Sequence, residues 1–439
     1  MRTASFWLAF LAFGGTAAAQ EIALSEPFKP GHTTKVEIQV KVTGKLALPS
    51  TEKGKIGQLV ELSGTSKLAY EERVLSPDDA DTQKVVRAYR DVDFARTVGT
   101  AKQDAGIRPS VRRMVLIRTG TKKAPFSPDG PLTWGEIDVV RTDVFNAALV
   151  PGLLPANAVK PGATWKASAA AVQELTDMEK VEEGALTVEF VGVAKPEGKQ
   201  LARLKLSGTL RGVNEDGPNK QTVTGTAYFD LDRGFLTYLS VRGTKELLDG
   251  MGRAVGVVEG QFSMTRAPVA QMPADLSDAS LRDLDLKPGS ENTLLLYDNA
   301  DLGVRFLHPR GWRVGAVQGN QVTVDHARGA GLLVTVEPPA KVPTPEDLLK
   351  ESLGVLEKQK ATVTAQEKPQ RVRKEPVTLD RFSVDATVGK NALRLEYAVL
   401  KQTDGGATVA ATLPADDEAL RPEVARIVRS LSVTKVIEK

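Results

Sequence analysis

The sequence predicts a β-rich α+β protein: an N-terminal antiparallel sheet or half-barrel with interrupting helices, then a C-terminal antiparallel sheet packed with two helices. Three observations predict it. Short stretches alternate apolar and polar residues with a period of two, as half-buried strands do. Helix-period stripes with capping residues are few. A Pro-, Ala-, Ser- and Asp-rich stretch at 267–290 separates two differently patterned halves.

The divisions expected from these signals are a signal peptide at 1–19, an antiparallel sheet or half-barrel domain at 20–266, a linker at 267–290 and a second α+β domain at 291–439. The signal reading rests on Arg2, the apolar run 4–13, the break at Gly14-Gly15, and the small residues Ala17-Ala18-Ala19 before Gln20. The run is shorter than the roughly 20 residues a spanning helix needs. The expected location is therefore the periplasm or the exterior, with no transmembrane anchor after cleavage. The chain has 0 cysteines, which excludes disulfides, thiol catalysis and a lipid-modified cysteine of the lipoprotein kind. A formal net charge of +3 over 439 residues gives no general drive toward nucleic acid.

Val36, Ile38, Val40 and Val42 alternate with Glu37, Gln39 and Lys41, which predicts a strand with one apolar face. The sequence at 228–240 reads as two strands around a turn at Asp232-Arg233-Gly234. Ser76-Pro77-Asp78-Asp79 suggests a helix start, with Val85, Tyr89 and Val92 on one face. A second helix is signed by the capping box Thr133/Glu136 and carries Val140, Val144 and Phe145, stopping before Pro151-Gly152. Past the linker, strands are expected at 294–297, 304–307, 312–317, 322–325 and 332–336, with a hairpin turn at Gly319-Asn320. A helix then starts at Thr344-Pro345-Glu346-Asp347, and a final one carries Leu420, Val424, Ile427, Val428 and Leu431.

The last segment resembles the PsbP-like (Mog-type) α+β domains. The residues that carry this are Tyr297-Asp298-Asn299, the run from Gly303 through Phe306, His308, Pro309 and Gly311 to Trp312, and the closing Val428-Arg429-Ser430-Leu431. The resemblance implies an assembly or binding adaptor and brings no catalytic residues with it. The N-terminal segment resembles the LolA-like exported carriers through its strand, interrupting helix, the stretch 154–165 ending in Gly162-Ala163-Thr164-Trp165, and a run of antiparallel strands. That resemblance implies an apolar groove able to hold an acyl chain.

Motifs for chemistry are sparse. The 3 histidines, His32, His308 and His326, are not spaced as zinc ligands. Asp325 and His326 could act as an acid–base pair, since a carboxylate can orient an imidazole, but neighbours on a strand point to opposite faces. Asp298-Asn299-Ala300-Asp301 and Asp230-Leu231-Asp232 have calcium-type oxygens without an EF-hand loop; turn chemistry explains them. No metal or cofactor is expected. The candidate binding residues are the basic stretch Arg108, Arg112, Arg113, Arg118, Lys122 and Lys123, which has no acid among them. It could meet anionic lipid or an acidic partner, or be a solvated basic strand face.

The expected function is an exported, non-catalytic binding or assembly protein that holds an apolar ligand or docks a lipid or another exported or envelope protein. The alternatives are a hydrolase of unfamiliar type using carboxylates or Asp325/His326, and a structural component of the cell envelope.

Overall fold

The computed structural model describes residues 20–48, 57–79, 81–104, 106–214, 217–374 and 376–434. The expected signal peptide at 1–19 lies outside the described residues. The first elements are β1 (Thr33–Ala47), β2 (Leu59–Val74), β3 (Thr82–Val98), β4 (Ala101–Asp104), β5 (Arg113–Thr119) and β6 (Lys122–Phe126). Next come α1 (Trp134–Arg141), α2 (Asn146–Leu153), β7 (Thr164–Lys166), α3 (Ala169–Thr176), β8 (Lys180–Ala194), β9 (Leu201–Asn214), β10 (Gly217–Asp230), β11 (Phe235–Leu248) and β12 (Ala254–Pro268). After α4 (Asp278–Leu281) follow β13 (Leu295–Asn299), β14 (Val304–His308), β15 (Trp312–Gln318), β16 (Gln321–His326) and β17 (Gly331–Glu337). The chain closes with α5 (Pro345–Lys358), β18 (Thr362–Gln366), β19 (Gln370–Arg373), β20 (Thr378–Val388), β21 (Asn391–Gln402), β22 (Gly405–Pro414), α6 (Leu420–Ser430) and β23 (Ser432–Val433).

The expected half-barrel followed by one sheet with two helices is corrected. The described strands form three sheets: a 12-stranded sheet in the order β6-β5-β3-β2-β1-β12-β11-β10-β9-β8-β7 with β4 on β3, a 3-stranded sheet β13-β14-β23, and an 8-stranded sheet β15-β16-β17-β22-β21-β20-β18 with β19 on β20. Period-two patterning identifies a strand's buried face but not its partner. The pairing of β1 with β12, Thr34 opposite Pro268, joins residues more than two hundred positions apart and leaves no local trace in the sequence.

The segment expected to be a helix from Ser76 is strand β3. Val85, Val86, Ala88 and Tyr89 are all buried, as are Lys84 and Arg87 beside them. A strand covered on both faces loses its alternation and imitates a helical stripe. Ser76-Pro77-Asp78-Asp79 is turn chemistry instead: the Asp79 carboxylate accepts the Asp81 amide at 3.1 Å, and Asp78 pairs with Lys84 at 3.1 Å. The second expected helix exists but stops at Arg141, and a separate helix α2, with Pro151 inside it, begins at Asn146.

The chain folds as two compact units. One comprises Met1–Lys67, Ala95–Gln103 and Val144–Pro268. Its long strands bury Ile38, Val188, Phe190, Leu204, Leu206 and Leu239, and α2 packs on α3, which in turn packs on β8. The segment before β1 is fastened by Glu26, whose carboxylate accepts from Arg266 Nη2 at 2.7 Å and from the Leu236 amide at 2.8 Å, all buried. Strand glycines mark close backbone approaches: a Cβ at Gly44 would lie 2.2 Å from the Val257 carbonyl oxygen.

The other unit comprises Leu68–Phe94, Asp104–Asp143 and Val269–Lys439. Residues 267–290 contribute to it directly, since Leu276 and Leu281 are buried with Val86, Val115, Ile117 and Phe126. The strands expected after residue 290 are all present, and Thr344 caps α5 with its side chain. Val424, Ile427 and Val428 of α6 pack with Phe306, Trp312 and Val324 in one core.

Candidate binding site

A concave site in the second unit is built around α1. Its start is fixed from sequence upward. Thr133 Oγ1 accepts the Glu136 amide at 3.2 Å, while the Glu136 carboxylate accepts the Thr133 amide at 2.8 Å, so both strands of the capping box are made. Glu136 is further gripped by Arg108, with Nε to Oε1 at 2.8 Å and Nη2 to Oε2 at 2.8 Å. Burial alone would raise the Glu136 carboxyl; the Arg108 guanidinium and the Thr133 and Arg108 amides outweigh it and hold the group below its usual range. The helix therefore begins at one defined residue, and Trp134, Asp138 and Arg141 fall on one face at i, i+4 and i+7.

Against that face lies β13. The Leu296 amide donates to the Leu132 carbonyl at 2.7 Å, which sets β13 beside the turn that enters α1. Leu295 stands opposite His308 in the β13–β14 pair, and Tyr297 packs on Phe306 with ring centroids 4.9 Å apart. Between these elements is a pocket of about 450 Å³, lined by Trp134, Asp138, Arg141, Tyr297, His308 and Arg313 among others. The Arg313 guanidinium lies 5.1 Å from the centre of the Trp134 ring. His308 is fully buried; its Nδ1 meets the Pro309 carbonyl at 3.1 Å, and burial pushes its pKa down against the pull of backbone carbonyls, so the ring is neutral at pH 7. His308 Nε2 and Trp134 Nε1 are both buried without a hydrogen-bond partner.

Of the residues read as a basic stretch, several are engaged within the fold. Arg108 is committed to Glu136, and Arg113 to Asp129 at 2.5 and 2.9 Å. Arg112 donates to the Arg90 carbonyl at 3.1 Å, and Arg118 is buried. Lys122 and Lys123 begin β6 and are exposed. Asp325 and His326 end β16 opposite Arg313 and Trp312 respectively, so they face opposite sides of the sheet. His326 packs on the Trp312 ring at 5.2 Å, and its Nδ1 accepts the Arg328 amide at 3.1 Å. The acidic turns serve the backbone: Asn299 Oδ1 accepts the Leu302 amide, and Asp230 Oδ1 accepts the Asp232 and Arg233 amides, each at 3.0 Å. Among the described residues no cluster of His, Asp and Glu is arranged to hold a metal ion.

The first unit carries a groove of about 460 Å³ lined by Gly44, Lys45, Leu59, Val255, Gly256 and Val257. Leu59 is 55% exposed and Val257 42%, which makes this an open apolar surface.

No family model matches the chain, and no curated protein matches it in sequence. Among solved structures, the chain is similar to cyanobacterial PsbP (CyanoP) from Synechocystis sp. PCC 6803 at 18% identity and TM-score 0.27, over 32% of this chain and 92% of that one. It is also similar to MucB in complex with MucA(peri), at 11% identity and TM-score 0.14, over 91% of this chain and 94% of that one. DynF from Micromonospora chersina matches at 10% identity and TM-score 0.15, over 57% and 90%. A PsbP protein is among these neighbours, at low similarity. Nothing in these comparisons supports the LolA-like reading of the N-terminal segment.

Proposed function

We propose that the protein is an exported binding or assembly factor that acts by holding a partner rather than by transforming a substrate. The observation that carries this reading is the pocket beside α1. Its polar groups are positioned by hydrogen bonds and ring stacking, its histidine is kept neutral by burial, and its lining combines aromatic, apolar and oppositely charged side chains, as recognition sites do. The test is native mass spectrometry of the mature chain taken from the exported fraction of the cell that makes it. A bound partner or ligand that is lost on Trp134→Ala supports the reading; a bare chain mass in repeated preparations overturns it.

The open apolar groove of the first unit favours a second reading, the holding of an apolar ligand, because Leu59 and Val257 are left exposed at its edge. Leu59→Glu would then abolish binding of a fluorescent fatty acid while leaving the α1 pocket untouched.

A further inference from the structure

We propose that the pocket beside α1 receives an extended peptide segment of a partner protein, whose Asn, Gln, Ser or Thr side chain hydrogen-bonds to both Trp134 Nε1 and His308 Nε2. This deepens the binding reading above and rests on it. The two orphaned atoms are opposite in sense. An indole N–H only donates. The His308 ring gives its Nδ1 proton to the Pro309 carbonyl, which leaves Nε2 an acceptor in the neutral ring. A buried polar atom left unmatched costs free energy, so a ligand that matches both recovers stability the free protein forgoes. The required group offers a donor and an acceptor together. A side-chain amide or hydroxyl does so, whereas an acyl chain offers neither, a carboxylate only accepts and an ammonium only donates.

The surroundings select a peptide as the carrier of that group. Arg313 and Val314, which line the pocket, open strand β15. That strand ends the 8-stranded sheet, with β16 on one side and no strand on the other among the described residues. A terminal strand presents backbone donors and acceptors at the spacing of an added strand. The register of β15 shifts between Val314 and Val317, so the unbroken stretch beside the pocket runs only from Trp312 to Val314. The added segment is accordingly short, and the pocket supplies most of its selectivity. Asp138, Arg141, Asp298 and Arg313 place both signs of charge around the opening, so no strongly acidic or basic sequence is required. Arg313 is exposed and lies over the Trp134 ring, so a ligand reaches the indole nitrogen by displacing that side chain.

The experiment is selection of a random 12-residue peptide library, displayed on phage, against the immobilised full-length mature chain. The expected result is a family of peptides sharing an Asn, Gln, Ser or Thr, whose synthetic forms lose at least tenfold in affinity when that residue becomes Leu. Trp134→Phe and His308→Phe should each cause a loss of the same size. The double change of peptide and protein should add little more. Should His308→Phe fail to fold, Trp134→Phe and the peptide substitution still decide the matter. Peptides that bind both variants as well as the parent chain overturn the proposal, as does the absence of enrichment. If enrichment fails and vesicles of phosphatidylethanolamine and phosphatidylglycerol capture the chain, the peptide is wrong and the binding reading stands. If both fail and native spectra show a bare chain, both fall.

Discussion

Arg87 is fully buried, yet it meets two carboxylates, Glu72 at 2.7 Å and Asp143 at 2.5 Å, with its guanidinium 4.5 Å from the centre of the Tyr70 ring. Burial opposes its charge, but Asp143, Tyr70 and Glu72 outweigh that and hold it ionised. Burial likewise pushes the Tyr70 and Tyr89 hydroxyls well above their usual range, so they remain donors, and Tyr70 donates to Asp143 at 3.1 Å. Arg87→Met would leave two buried carboxylates without their counter-ion. A loss of about 3–5 kcal/mol is expected, read as a shift of the urea midpoint at unchanged slope. Glu136→Gln is milder. It keeps the shape of the capping box but gives up charge-assisted bonds to Arg108, so a loss of about 1–2 kcal/mol is expected at pH 7, shrinking as the pH falls below the ordinary carboxylate range. None of this buried network was legible in the sequence, because Glu72, Arg87 and Asp143 look like ordinary surface charges until pairing brings them together. Trp134 was legible in part. The capping box fixed it as the first residue of a helix, and Asp138 and Arg141 follow at spacings that share its face, but the strand that completes the pocket comes from 160 residues further on.

Elements with one buried face were read correctly, as in β1, β14 and β17, whose apolar residues alternate. Elements covered on both faces were not, and β3 is the plain case: burying Lys84 and Arg87 beside Val85 and Val86 erased the period that distinguishes strand from helix. The strand glycines show what the pattern omitted. At Gly44 a methyl group would meet the Val257 carbonyl at 2.2 Å, whereas at Gly260 it would find nothing within 4 Å. Both lie in the β1–β12 pair. Gly44→Ala should therefore destabilise by about 1–3 kcal/mol through forced strand separation, and Gly260→Ala should stay within about 0.5 kcal/mol of the parent. Equal losses at both sites in thermal unfolding would refute the close approach at Gly44.

The second unit as a whole is assembled from three separated stretches of chain, which bears on what can fold alone. A fragment of residues 291–439 would lack the Leu132 carbonyl that accepts from Leu296 and the Pro125 carbonyl that accepts from Arg310, and it would expose Leu295. Its melting temperature should fall below that of the full chain, with added binding of a hydrophobic dye. The unit's response to acid follows from His308. Burial lowers its pKa, so the folded protein resists protonation there while the unfolded chain takes up a proton near pH 6.5. The stabilisation tied to the neutral ring is complete above that pH and is lost as pH falls from about 6.5 toward the folded value. Glu136 and Asp275, held low by Arg108 and Arg90, contribute in the same direction but only below about pH 4. The two windows are separable. Urea midpoints should decline between pH 7 and pH 5 in the parent chain, and in His308→Gln that part of the decline should flatten while the steeper loss below pH 4 remains. A parent profile flat down to pH 5 would mean that His308 takes up its proton over the same pH range in the folded and the unfolded chain. Burial would then not hold the ring neutral, and its Nε2 would turn from acceptor to donor as the pH falls through the ordinary imidazole range, where the peptide recognition would be lost.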